Sequence, residues 1–107
     1  MTAFEVLAEP KRRLILDELA DGELSVGELV RRLAMSQPAV SKHLRILREA
    51  GLVEVRTDAQ RRLYRIRAEP LRDIDEWLRP YRSVWSSSLD DLERRLDEMP
   101  DRDDRKE

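Results

Sequence analysis

Cysteine is absent from this 107-residue sequence, and histidine occurs only once, as His43. Without cysteine the chain can form no disulfide, thiolate metal site or thiol nucleophile, which is compatible with a reducing compartment. The lone histidine lacks a partner for nucleophilic catalysis, since Ser41, two residues away, would point elsewhere on a helix. Its cationic neighbours Lys42 and Arg45 would disfavour its protonation. These features predict a protein that is not an enzyme and that holds no metal or other cofactor.

Long apolar runs are also missing from the sequence. No stretch approaches the roughly 20 residues of a membrane span, and the N-terminus lacks the apolar core of a signal peptide. A chain of this length buries only roughly 60–70% of its unfolded surface, so its core is modest and a partner surface is expected. We therefore predict a cytoplasmic protein that makes no membrane contact.

Basic residues are concentrated in the middle of the chain, although the formal net charge is only −2. Residues 31–67 contain ten basic and three acidic residues, a net charge of +7, whereas residues 1–30 and 68–107 carry −4 and −5. A basic segment of this kind is expected of a surface that binds phosphate, because neutralising phosphates releases condensed counterions. A solvated charged face is the alternative.

Helical periodicity begins at the N-terminus. A short apolar pattern over residues 3–8 and a longer one from Pro10 to Gly22 predict two helices, with the proline well placed in a first turn. The second helix contributes apolar residues at Leu14, Ile15, Leu16 and Leu19. These two segments are expected to supply core.

Two further helices are predicted to meet at a connection of three or four residues around Met35. The first begins at Ser25, which with Glu28 fits a capping box, and the second begins at Ser36 and ends at Gly51. On the second helix the residues at core-facing spacing are Val40, Leu44 and Leu47. The opposite face would carry Gln37, Ser41, Lys42, Arg45 and Arg48.

The C-terminal half begins with a predicted hairpin. Residues 52–56 and 63–67 alternate apolar and polar, which is typical of half-buried strands, and the polar residues 57–61 between them would form a turn. A helical pattern resumes at Leu71 and continues to Met99, with a kink expected at Pro80. We expect a disordered, charged tail over residues 100–107.

This order of elements predicts a mainly α protein with a small β-hairpin (α+β), in the form of a winged helix-turn-helix that occupies residues 1–99 as a single domain. In a helix-turn-helix the second helix lies in the major groove of DNA. Glutamine can pair with adenine and arginine with guanine, whereas serine and lysine more often hold phosphates.

The stretch SQPAVSKHLRILREAGLV, residues 36–53, is the most specific part of a wider similarity. Most of residues 3–67 resembles the ArsR family of bacterial winged-helix transcriptional regulators. The resemblance implies a homodimeric, nucleoid-associated repressor that binds an inverted-repeat operator, with its own promoter as one target. It also implies that His43 lies on the DNA-reading helix and that Arg61 and Arg62 lie in the wing. The predicted DNA-binding residues are Ser36, Gln37, Ser41, Lys42, His43, Arg45, Arg48, Arg56, Arg61 and Arg62.

The sequence departs from the metal-sensing members of that family. Their thiolate site resembles ELCVCDL, whereas this chain reads ELSVGEL, with Ser25 and Gly27 at the cysteine positions. The last helix offers scattered carboxylates but no histidine, so zinc would lack its usual nitrogen ligands. The chain is therefore similar to a cysteine-free subgroup that does not sense metals, and the sequence names no inducer.

The first and last helices, residues 1–8 and 71–99, are expected to form a dimer interface by the same resemblance. Trp77, Tyr81 and Trp85 recur every four residues and could pack against a symmetry mate. An intramolecular core or a pocket for an apolar ligand would be alternatives for this aromatic stripe. The predicted interface residues are Phe4, Leu7, Leu71, Ile74, Trp77, Leu78, Tyr81, Trp85, Leu89 and Leu92.

A winged-helix module that binds protein instead of DNA is the alternative function. Some winged domains bind proteins, and the acidic ends of this chain would suit a basic partner. The salt dependence of DNA binding distinguishes the two functions, because each lost phosphate contact lowers the slope by about one unit.

Overall fold

A computed structural model describes residues 1–98 of the chain as helices with one small hairpin, which confirms the predicted fold class. The elements, in chain order, are α1 (Ala3–Leu7), α2 (Pro10–Leu19), α3 (Val26–Leu33), α4 (Gln37–Glu49), β1 (Val53–Asp58), β2 (Arg61–Ile66) and α5 (Ala68–Glu98). None of the helices within residues 1–98 is long and apolar enough to cross a membrane.

Side-chain caps begin both helices of the helix-turn-helix. Ser25 Oγ accepts from the Glu28 backbone N–H at 3.2 Å, and Glu28 Oε1 accepts from the Ser25 backbone N–H at 2.9 Å, which completes the predicted capping box. Ser36 Oγ accepts from the backbone N–H of Ala39 at 3.3 Å. Between the two helices, Ala34 takes the left-handed conformation at φ 53°, which turns the chain from α3 into α4.

The hairpin is longer than the sequence pattern suggested. Its two strands pair antiparallel out to Asp58 and Arg61, which leaves only Ala59 and Gln60 in the loop. The prediction of a five-residue turn over 57–61 was therefore wrong. Polar residues can continue the ladder here because both faces of the hairpin near its tip are exposed, and the positive φ of Ala59 suits a two-residue hairpin loop.

A single core fills the space between α1–α4 and the hairpin. Its fully buried side chains include Ile15, Leu29, Leu44 and Leu47. Leu14, expected in the core, is instead 48% exposed, because it lies on the outer side of α2 while Ile15 and Leu16 face inward. Leu24 forms an isolated bridge to β2 through two backbone hydrogen bonds with Tyr64, at 3.1 and 2.8 Å. The bridge anchors the β1–β2 hairpin, which is the wing of the fold, to the segment before α3.

The last helix begins at Ala68, three residues earlier than predicted, and passes through Pro80 without ending. The kink expected at this proline stays a prediction. The described residues divide into two compact units, residues 1–73 and residues 74–98. The single domain over 1–99 stays a prediction, and both Met99 and the predicted tail over 100–107 lie outside the described residues.

Candidate nucleic-acid interface

Helix α4 separates an apolar face from a polar one. Val40, Leu44 and Leu47 are at most 1% exposed, as their helical spacing predicted. The predicted DNA-facing residues of the helix are all exposed: Gln37, Ser41, Lys42, Arg45 and Arg48. Burial of one face fixes the rotation of the helix about its axis, so the polar side chains project together on the other.

A groove of about 600 Å³ lies between α4 and the wing. Its lining contains six of the predicted DNA-binding residues together with three others: Val26, Gln37, Pro38, Ser41, Lys42, Arg45, Arg48, Arg62 and Tyr64. Four of these side chains are cationic, and none is acidic. Among the ion pairs of residues 1–98, none involves these four cations. The groove is therefore a cationic surface whose charges are available to an external anion.

Arg56 and Arg61, also predicted to bind DNA, have carboxylate partners instead. Arg56 holds Glu23 through two hydrogen bonds of 2.7 and 2.8 Å. This contact raises the pKa of Arg56 and lowers that of Glu23, chiefly through the side-chain hydrogen bond. Arg61 Nη2 lies 3.0 Å from Glu28 Oε1. Neither arginine lines the groove, and their contact with DNA stays a prediction.

Glu28 links the start of α3 to the wing. Its Oε1 accepts from both the Ser25 backbone and Arg61, and these contacts lower the pKa of Glu28, with the Ser25 backbone hydrogen bond as the largest cause. Because the pair is exposed, its main effect is to orient Arg61 rather than to add much stability.

Glu28→Gln is expected to unfold more easily than the wild type at neutral pH, with the difference shrinking in acid. The lowered pKa means that the carboxylate stabilises the fold fully above its ordinary value of 4.5, and that this contribution is lost as the pH falls through the lowered value. Urea unfolding at neutral pH and at successively lower pH measures the effect. A difference between the two proteins that stays constant over this range would contradict it.

Ser36 and His43 lie outside the groove lining. Ser36 acts as the helix cap, while His43 is half-buried and lies 3.4 Å, Nδ1 to Nη1, from the buried side chain of Arg12 in α2. Burial is the largest cause of a lowered His43 pKa, followed by the charge of Arg12, and Lys42 contributes less. The sequence predicted the direction of this pKa shift correctly. Its cause was expected in Lys42 and Arg45, because Arg12 lies 31 residues from His43 in the chain.

The sequence did not predict that Tyr64 would line the groove. Tyr64 is only 8% exposed, and the Arg62 guanidinium lies 6.0 Å from the centre of its ring, within the range of a cation–π contact. The strand alternation gave no signal for this position, since Leu63 and Tyr64 are both buried. The backbone of Tyr64 also forms the bridge to Leu24.

The predicted dimer residues fall into both compact units. In the first, Phe4 is 52% exposed, while Leu7 and Leu71 pack partly against the core. In the second, Ile74 and Leu78 are half-buried, and five of the predicted residues are exposed by 43–60%: Trp77, Tyr81, Trp85, Leu89 and Leu92. The rings of Trp77 and Tyr81 lie 5.0 Å apart. The described part of the second unit therefore has no buried residue and presents an apolar stripe.

The capped helix pair, the wing and the cationic groove between them define a winged helix-turn-helix protein. Residues 9–55 match the family model described as bacterial regulatory protein, arsR family. The chain belongs to the ArsR family of transcriptional regulators, which bind double-stranded DNA.

Similar proteins include both a repressor and an activator. A biofilm growth-associated repressor of Agrobacterium fabrum is 45% identical over 62 residues, 58% of this chain and 53% of that protein. The transcriptional activator HlyU of Vibrio cholerae is 43% identical over 74 residues, 69% of this chain and 68% of that protein. A solved ArsR-like regulator from Rhodococcus sp. RHA1 superposes with a TM-score of 0.68 at 29% identity, over 90% of this chain and 91% of that one. The chain spans about half to 60% of the length of several curated relatives it matches.

Proposed function

We propose that this protein is a homodimeric transcriptional repressor that binds an inverted-repeat operator and acts in the cytoplasm on the bacterial nucleoid, with its own promoter as one target. The observation that carries the proposal is the groove between α4 and the wing, where Lys42, Arg45, Arg48 and Arg62 converge without a carboxylate among the groove's lining residues. Cations clustered on one face of a helix are typical of a surface that binds the phosphate backbone of a nucleic acid.

The dimensions of α4 suit the major groove. Its 13 residues span about 20 Å, whereas the groove is about 12 Å wide, so the helix can cross it and present its N-terminal turn to the bases. Gln37 and Ser41 lie near that end and are exposed. We assign base contact to Gln37, and backbone contact to Ser41, Lys42, Arg45 and Arg48.

The apolar stripe of α5 supports a dimer. Five large apolar side chains that are about half exposed would be costly to leave in water, and packing against the same stripe of a second copy would remove them from it. A two-fold axis then relates two recognition helices, which would read half-sites about one turn, roughly 34 Å, apart. We assign repression, as opposed to activation, by analogy with the Agrobacterium relative, a biofilm growth-associated repressor.

Single neutralisation of the basic residues tests the DNA interface. The purified protein is titrated onto a duplex from upstream of its own gene, with scrambled duplex as competitor, over a range of salt concentrations. Arg62→Ala, Lys42→Ala or Arg45→Ala is expected to lower the slope of log K against log salt by about 0.9 for each lost phosphate contact. Arg56→Ala and Arg61→Ala, whose guanidinium groups already hold carboxylates, are expected to change the slope less than Arg62→Ala.

Two outcomes would count against this assignment. If the protein shows no preference for the upstream duplex over the scrambled one, its own promoter is not a target. If every variant keeps the wild-type slope, the groove does not contact phosphate, and the winged helix is better explained as a protein-binding module.

A further inference from the structure

One arginine joins three helices of the first compact unit. Arg12 in α2 is only 9% exposed. Its Nε donates to the carbonyl oxygen of Val6 in α1 at 2.7 Å, and its Nη1 lies 3.4 Å from Nδ1 of His43 in α4. A single guanidinium therefore connects α1, which is predicted from the sequence to join a dimer interface, to the helix proposed to read DNA.

The chemistry of this contact determines which ring nitrogen of His43 carries the proton. A guanidinium offers only N–H donors and remains charged in proteins. Arg12 can therefore hydrogen-bond to Nδ1 only if this nitrogen keeps its lone pair, and a neutral imidazole of that kind has its proton on Nε2. Protonation of Nδ1 would remove the acceptor and place two cationic groups side by side.

The surrounding charges favour the neutral ring. Arg12 and Lys11 of α2, together with Lys42 of α4, oppose protonation, while Glu9 at the start of α2 favours it. Burial adds the largest contribution, so the pKa of His43 lies below its ordinary value of 6.5. The neutral imidazole, which a hydrogen bond from Arg12 requires, is therefore favoured at neutral pH.

We propose that Arg12 is a positioning residue for α4, which holds His43 as the neutral tautomer protonated on Nε2 and ties α4 to the backbone of α1. The imidazole then presents a fixed N–H donor at Nε2 on the recognition helix. The use of this donor on a DNA phosphate or base acceptor rests on the proposed function. The tautomer itself does not.

Nitrogen-15 NMR tests the tautomer directly, because His43 is the only histidine and its ring signals need no assignment. Long-range nitrogen–proton spectra of the wild type at neutral pH are expected to show Nε2 protonated and Nδ1 as an acceptor. In Arg12→Met the ring should become a mixture of tautomers and the pKa of His43 should rise towards its ordinary value. Arg12→Lys, which keeps a cationic donor, is expected to restore the Nε2-protonated form at least in part.

Arg13→Met is the matched control. Arg13 also ties α2 to α1, by donating from Nη1 to the carbonyl oxygens of Leu7 at 2.6 Å and Ala8 at 3.3 Å, so its loss removes a comparable link that does not involve His43. This variant is expected to keep the wild-type tautomer and pH titration of His43. On DNA, Arg12→Met should bind roughly two- to tenfold more weakly than Arg13→Met, the range expected for one hydrogen bond.

An Nδ1-protonated or doubly protonated ring in the wild type at neutral pH would overturn the proposal, and this measurement stands even if Arg12→Met fails to fold. A folded Arg12→Met protein with an unchanged tautomer and an unchanged titration would overturn it as well. Equal DNA affinities of Arg12→Met and Arg13→Met would refute the effect of Arg12 on binding. Because the NMR measurements are made without DNA, they test the effect of Arg12 on the His43 tautomer independently of the proposed function.

Discussion

The double variant Lys42→Ala/Arg45→Ala is expected to bind the operator about a hundredfold more weakly than the wild type. Both side chains line the groove between α4 and the wing, and both are exposed. Each lost contact should cost about 1–2 kcal/mol, and two independent contacts multiply to roughly a hundredfold. Fluorescence anisotropy with a labelled duplex at fixed salt measures this loss.

The fold should survive the double substitution, because neither side chain belongs to the core. Arg94→Ala/Arg95→Ala removes the same two charges from exposed positions near the end of α5, where both arginines pair with Asp91. This control is expected to bind DNA within about twofold of the wild type. Equal losses in the two double variants would mean that net charge, and not the position of the groove cations, governs the affinity.

Leu92→Asp is expected to convert the proposed dimer to a monomer and to weaken binding to the proposed operator by roughly a hundredfold or more. In a two-fold interface one substitution places two carboxylates in the apolar contact, where burying an unpaired charge is strongly unfavourable. The loss on DNA follows because two linked half-site contacts exceed a single one by roughly 100- to 10,000-fold when the geometry allows both. Sedimentation equilibrium gives the oligomeric state, and anisotropy gives the affinity.

Leu14→Asp provides the comparison for this variant. Leu14 in α2 is 48% exposed and Leu92 is 52% exposed, so the two substitutions place a carboxylate on helix surfaces of similar accessibility. Only Leu92 lies on the proposed interface, and Leu14→Asp should therefore remain dimeric. A Leu92→Asp protein that sediments as a dimer would place the interface elsewhere and would favour the ligand-pocket alternative for the stripe on α5.

The sequence correctly predicted features that depend on residues close together in the chain. The capping box at Ser25 and the cap at Ser36 depend on side chains that reach backbone groups three residues away, so the local pattern predicted both helix starts correctly. The apolar spacing of Val40, Leu44 and Leu47 likewise determined which face of α4 would be polar. These two features together gave the position of α4 and its polar face.

Contacts between distant parts of the chain were not predictable in this way. The predicted hairpin loop was three residues longer than the observed one. The alternation of apolar and polar residues ends where burial ends, whereas backbone pairing continues to the exposed tip of the hairpin. The partners of Arg56 and Arg61 lie 33 residues away, so the segment charge alone could not separate free cations from paired ones. The Arg12–His43 contact escaped the sequence reading for the same reason.

The salt dependence of operator binding, compared between the wild type and Lys42→Ala/Arg45→Ala on the same duplex, tests most directly whether the groove binds the DNA backbone. If both side chains contact phosphate, the slope of log K against log salt should be smaller by about 1.8 in the double variant. Parallel lines for the two proteins would contradict a DNA interface in this groove.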